Sequence, residues 1–316
     1  MLETMPRIVP IPAALRVGSF TLDTARSFGV TSSRLRGPDI SHPFHGVNSA
    51  HPVKEDVVAR ARAYVPRLTS GQAFSHATAV GILEAPLPAE CERQPLDVAV
   101  AWPKSPPRTR GIRGHAVRTG LVRASNYQGL PIVAPDDAWC QLADVLSFED
   151  LVSVGDYLLS GNVWHGSARR PFVTLDELVA SVQRHAGSRG IRSARLALPL
   201  IRSGVDARPE SHLRLMLRAA GLPEPLIGDP TPVAGGRVLH PDLKLKRWRV
   251  VFEYEGELHF TDPRRAKLDV SRRELFEDAG WRVIRVTSED VFIHPQRFIR
   301  RVRAILASRE AVVIRG

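Results

Sequence analysis

The apolar positions along the chain recur with two periods, and the alternation between them sets out its elements. Spacings of three and four residues predict helices over 21–29, 56–64, 76–81, 136–146, 149–159, 174–185, 194–200, 209–220, 263–279 and 295–306. Alternating or short continuous apolar runs predict strands over 96–101, 226–233, 238–245, 250–255 and 281–287. The stops and starts agree with this reading. Thr21 is placed to cap the first helix and Gly29 to end it, Ser147 with Asp150 and Thr174 with Glu177 form capping patterns, and Pro209 and Gly221 bracket a later helix. A second short helix is predicted over 32–36, cut off by Gly37-Pro38, with a strand over 43–47 after it. Helix, turn, short helix and strand is a winged helix-turn-helix layout. The last part reads α-β-β-β-α-β-α. The expected class is therefore α/β, or mixed α+β, in three segments: a winged-helix-like domain over 1–67, an α/β middle domain over 68–187, and a third domain over 188–316.

Composition narrows the function. At 316 residues and 43% hydrophobic content, disordered and fibrous classes are excluded. No run approaches the ~18 apolar residues of a membrane span, and the first residues lack a signal-peptide layout, so the expected location is cytoplasmic with no membrane partner. Cys91 and Cys140 are isolated thiols with neither a disulfide framework nor a zinc spacing. The formal net charge of +11 points to a polyanionic partner, and DNA is the expected one. Arg34 and Arg36 stand where a recognition helix would meet DNA, while Arg108, Arg110 and Arg113 line a Pro/Arg-rich connection able to track phosphates. His76 and His115 have no partner at metal spacing in the sequence and read as structural or surface histidines.

The strand at 250–255 carries Glu253 and Glu255, whose side chains share a face because strand residues two apart point the same way. If this strand pairs with 238–245 through Lys246-Arg247-Trp248, Asp242 comes close to Glu253. Clustered carboxylates need a neutralising cation, which makes this hairpin a candidate site for Mg²⁺ or Mn²⁺; a solvated strand end is the plainer reading.

An acid on the opening helix, an Asp on the second strand and a Glu pair on the third resemble the PD-(D/E)xK nuclease superfamily with its restriction-endonuclease-like αβββαβ core. More closely, 253–259, Asp269-Val-Ser-Arg272 and 279–286 resemble the Vsr-like (very-short-patch-repair endonuclease-like) domain of unknown function. Phe74-Ser-His-Ala-Thr-Ala79 and Arg113-Gly-His115, behind the winged-helix pattern, are similar to AbiEi-type antitoxins, an arrangement met in uncharacterised actinobacterial proteins. The resemblance implies that Asp242 and Glu253 hold the divalent ion, with the Tyr254 carbonyl as a further ligand. It makes Glu210 the auxiliary acid, places His259 and Arg272 at the phosphate or the attacking water, and has Asp269 orient Arg272 or Arg273. The superfamily lysine is replaced by Glu255, leaving Lys244, Lys246 or His259 to supply its role. Two functions are compatible with this: a Mg²⁺-dependent endonuclease, or an antitoxin-type DNA-binding regulator with a catalytically inactive nuclease-like scaffold. The partners expected beside DNA are a cognate toxin or a second copy of the chain.

Overall fold

A computed structural model describes residues 9–161, 170–205, 207–255 and 263–313, with the backbone alone at 92, 263–270 and 311–313. The elements in chain order are β1 (Ser19–Thr21), α1 (Leu22–Ser27), β2 (Ser41–Phe44), β3 (Val47–Ser49), α2 (Val57–Tyr64), β4 (Gln72–Phe74), α3 (His76–Ile82), α4 (Ala89–Glu92), β5 (Leu96–Ala101), β6 (Ile112–Val117), β7 (Ala124–Tyr127), β8 (Leu130–Val133), α5 (Pro135–Gln141), α6 (Phe148–Ser160), α7 (Leu175–Arg184), α8 (Ile191–Ala197), α9 (Arg208–Ala219), β9 (Leu226–Ile227), β10 (Thr231–Pro232), β11 (Val238–Leu239), β12 (Leu243–Leu245), β13 (Val250–Tyr254), α10 (Pro263–Asp278), β14 (Arg282–Val286) and α11 (Pro295–Val313). The chain is mixed α/β, as its periodicity predicts. It gathers into two compact units, Met1–Ser147 with Val173–Pro199 and Phe148–Phe172 with Leu200–Gly316, so the helix α6 belongs with the C-terminal part rather than with its sequence neighbours.

The first unit begins with a three-stranded antiparallel sheet, order β1-β3-β2. Thr21 caps α1 by accepting the Thr24 N–H at 3.2 Å. The helix expected over 32–36 is a single 3₁₀ turn, Arg34–Arg36. Gly37-Pro38 stops it, and Leu35 goes into a small core with Ile11, Leu15, Phe20, Ala25, Val30 and Ile40. A second sheet follows with strand order β6-β5-β4-β8-β7, in which β5 runs parallel to β6 and antiparallel to β4. The central strand β5 is buried along 96–100, and one of those five residues is charged, Asp97.

The second unit holds a four-stranded sheet, order β14-β13-β12-β9, antiparallel except for the parallel β13–β14 pair joined through α10. Its two faces follow from the strand period of two. Leu243, Leu245, Val250 and Phe252 enter a core with Leu213, Leu217, Phe298 and Val302 of α9 and α11, while Val251 and Val283 pack with Leu239 and Phe276. The predicted strand over 238–245 is broken at His240-Pro241. Its first part, β11, pairs with β10 in a separate ribbon, and only Leu243–Leu245 joins the sheet. Proline has no N–H for the ladder, which is why the break falls there.

Behind the sheet α6 packs on α9 through polar groups. Arg214 is fully buried and donates to Asp156 at 2.9 Å, to the Leu200 carbonyl at 2.8 Å and to Glu224 at 3.2 Å. Asp156 also accepts from Ser211 Oγ at 2.7 Å and the Arg202 N–H at 2.6 Å. Burial pushes the Asp156 carboxyl up, and the Arg214 charge beside it works in the opposite direction.

Candidate functional site

The strands β12 and β13 pair with Leu243 opposite Phe252, so Asp242 and Glu253 are the next residues on each side at the open end of this ladder. The turn between them, Lys246–Trp248, is a 3₁₀ turn closed by Arg249 in the left-handed region at φ 50°. The hairpin predicted from the sequence therefore forms. Asp242 Oδ2 accepts the Tyr254 N–H at 2.7 Å, which aims its carboxylate along the end of β13. Glu253 is gripped by Arg272 of α10, with Nε to Oε2 at 3.0 Å and Nη2 to Oε1 at 3.2 Å; Arg272 also reaches the His240 carbonyl at 2.5 Å. This is the two-point fork that a guanidinium makes with a carboxylate. Glu255, just past β13, forms an ion pair with Arg285, the β14 residue in register with Glu253.

Lys244 lies on the same strand face as Asp242 but leads elsewhere. Its ammonium is buried against Asp229, the Pro230 carbonyl and Thr231 Oγ1, and stacks over Trp281 at 5.3 Å. Its ammonium is thereby tied to the 229–231 segment. Glu210 is buried in the first turn of α9, near a second polar group in which Asp150 accepts from His212 Nε2 at 2.7 Å and Arg208 Nε at 2.5 Å. Among the described residues Glu210, Asp242 and Glu253 do not belong to any group of three ligand atoms within 4.8 Å of one another. His259 lies outside the described residues, and Asp269 is described only as part of the α10 backbone.

Of the arginines expected at a nucleic-acid surface, Arg34 is taken up within the fold. It forks onto Asp39 and donates to the Val9 carbonyl, which holds the 3₁₀ turn in place and leaves its side chain 13% exposed. Arg36, Arg108, Arg110 and Arg113 are exposed. Arg113 Nη2 donates to Gln94 at 3.0 Å, and its Nη1 lies 3.6 Å from Asp97.

A group not expected from the sequence lies in the first unit. His76, Asp97 and His115 offer ligand atoms that all fall within 4.8 Å of one another. His115 Nε2 is 2.8 Å from Asp97 Oδ1, the two imidazoles stack with centroids 3.9 Å apart, and His76 Nδ1 is 3.0 Å from Ser75 Oγ. Parallel pairing puts Ala99 beside His115, so Asp97 and His115 come from adjacent strands while His76 opens α3 at the end of β4. Burial and then the neighbouring His115 lower the His76 pKa to about 4, which keeps its imidazole neutral at physiological pH. The signal was present in Phe74-Ser-His and Arg113-Gly-His115, but the third member, Asp97, sits inside an apolar strand run with no motif around it.

Close by in the fold of the same unit, Asp137 accepts from Ser181 Oγ at 2.8 Å, Arg184 at 2.5 Å and His185 at 3.3 Å. Burial alone would raise its carboxyl, but these donors and the Arg123 N–H hold it far below the usual carboxylate range. Burial drives the adjacent Cys140 thiol up to about 12, so it is unreactive as a nucleophile. These residues tie α5 to α7 and read as scaffold.

No family model matches the chain, and no solved structure matches it. Similarity is found to the uncharacterised proteins Rv2248 and MT2308 of two Mycobacterium tuberculosis strains, each 29% identical over 126 residues. The match takes in 40% of this chain and 46% of each relative, so the chain spans about half the length of the curated relatives it matches.

Proposed function

We propose that this is a DNA-binding protein whose second unit is a metal-dependent phosphodiesterase, with Asp242 and Glu253 as its acidic centre. The observation that carries the reading is the placement of Asp242 and Glu253 at the open end of the β12–β13 hairpin, Asp242 bonded to the Tyr254 N–H and Arg272 closing on Glu253. Two carboxylates and a strand-end carbonyl are hard oxygen donors, the set that Mg²⁺ and Mn²⁺ take with water. When bound, such an ion supplies a water of lowered pKa and stabilises charge on a phosphate. The chain's own residues do the rest. Asp242 is aimed by the Tyr254 N–H, Glu253 is held by Arg272, and Arg272, once released from Glu253, is a two-point donor of the right shape for a phosphate. The sheet order β14-β13-β12-β9, with α9 before it and α10 crossing between the parallel strands, supports the same nuclease-like reading.

A second reading rests on a specific observation. Glu253 and Glu255 are each neutralised by an arginine, and Lys244 points away from them, so the acids are satisfied without a metal. Under this reading the chain is an antitoxin-type regulator that binds DNA, partnered by a toxin or by itself, and its nuclease-like unit is scaffold. Plasmid DNA with Mg²⁺ or Mn²⁺ separates the two. Nicking or cutting by the wild type, abolished in Asp242→Ala and Glu253→Ala, is the expected result. DNA that stays intact with all three proteins yet shifts in a gel gives the answer to the regulator.

A further inference from the structure

We propose that His76, Asp97 and His115 bind one borderline-soft divalent transition metal of the Zn²⁺ class, at a site separate from the acidic hairpin. Two imidazoles and one carboxylate are a donor set suited to Zn²⁺, Co²⁺, Ni²⁺ or Fe²⁺ and poor for Mg²⁺, which takes oxygen donors. Three protein ligands also leave at least one coordination position open to water or a further ligand.

Several features make this more than a buried Asp–His pair. One histidine would satisfy Asp97, yet a second, His76, brings a ligand atom within 4.8 Å of those of both Asp97 and His115. His76 is held with φ 47°, the left-handed region that costs a side-chain-bearing residue energy. Its N–H is held by Gln141 Oε1 at 3.1 Å and its Nδ1 by Ser75 Oγ at 3.0 Å, leaving Nε2 as its free donor atom. An outer hydrogen bond that fixes the ring and frees one nitrogen is how metal-binding histidines are oriented. Asp97 is locked through its backbone, where its N–H donates to Thr78 Oγ1 at 2.7 Å and its carbonyl accepts from Ser75 at 3.0 Å. Gly114 precedes His115 where a Cβ would meet the Pro107 carbonyl at 2.3 Å, so the Pro-rich connection lies directly on the strand beside the site. Without metal the charge of Asp97 is met by His115 at 2.8 Å and by the half-exposed Arg113 at 3.6 Å, which also donates to Gln94. His185 is not a ligand, since its Nε2 faces Asp137.

The test uses the full chain stripped with EDTA and titrated with Zn²⁺ alone by calorimetry. The expected result is one saturable site per chain, a higher melting temperature with Zn²⁺, and d–d absorption of a nitrogen-rich low-coordinate site when Co²⁺ is added. His76→Asn and His115→Asn should each weaken binding at least ~10-fold, and Asp97→Asn should do the same. His42→Asn, an exposed histidine outside the site, should leave it unchanged, as should the Asp242→Ala/Glu253→Ala double variant, which separates this site from the hairpin. Absence of a one-to-one Zn²⁺ site in the wild type overturns the proposal even if every histidine variant misfolds. Zn²⁺ affinity that survives His76→Asn/His115→Asn together overturns it as well.

Discussion

Arg214 and Arg34 show two ways in which a guanidinium in a strongly basic chain is tied to a carboxylate of its own fold. Arg214 has no exposed surface and serves Asp156, Glu224 and a carbonyl; its place is inside α9, between Leu213 and Leu215. Removing one member of a buried ion pair strands the other charge, at a cost of about 3–5 kcal/mol. Arg214→Met should therefore lower the unfolding free energy read from urea denaturation by that order, and Asp156→Asn, which keeps one acceptor, should cost less. Arg34 is tied to Asp39, five residues on. Such ties were not legible in the sequence, because an arginine's partner is chosen by the chain's path and not by spacing. Glu253 and Arg272 are the opposite case: both were singled out from the sequence, and the fold brings them into contact.

At the level of elements, helices and strands with clean periodicity came out where the apolar spacing put them, α1, α7 and α9 with their caps or proline starts among them. The exceptions have local causes. The helix over 32–36 shrank to one turn because Gly37-Pro38 and the Arg34–Asp39 fork end it, and the strand over 238–245 split at Pro241. Gly190 shows how tightly one junction is drawn. It precedes α8 at φ 73°, and a Cβ there would lie 2.4 Å from Ala143 C and Asp144 N. Gly190→Ala thus meets both a left-handed penalty of about 1–2 kcal/mol and a backbone clash with no flexible neighbour to yield. It should lower the melting temperature well beyond what the penalty alone predicts. Gly221→Ala, at a similar φ of 71° but with open space around it, isolates the conformational part, and equal losses in the two variants would show that the Ala143 junction yields.

For the whole molecule, the net charge of +11 is the ground for the proposed association with DNA, and the fold decides which cations are exposed. Arg36 is exposed and Arg34 is not. If the first unit docks on duplex DNA, Arg36→Ala should reduce the slope of log affinity against log salt by about 1, measured by fluorescence anisotropy. Arg34→Ala should instead loosen the 3₁₀ turn and lower thermal stability while the slope stays as in the wild type. A slope unchanged in Arg36→Ala would remove this turn from the interface. Among the described residues, no helix is long and apolar enough to cross a membrane.

What the sequence by itself determined is the α/β class, the helices and strands of clean period, the β12–β13 hairpin and the acids at its open end. These follow from periods of two and near four and from residues close along the chain, where local sterics and short loops leave few choices. Tertiary structure alone decided three things: that α6 joins the C-terminal unit, that Arg34 and Lys244 are tied to acids of their own fold, and that Asp97 shares one cluster with two histidines. The first and last bring together residues far apart in the chain, and the two cations depend on turns that fold back onto Asp39 and Asp229. Strand order and buried charge pairing settle such meetings, and neither leaves a period in the sequence to read.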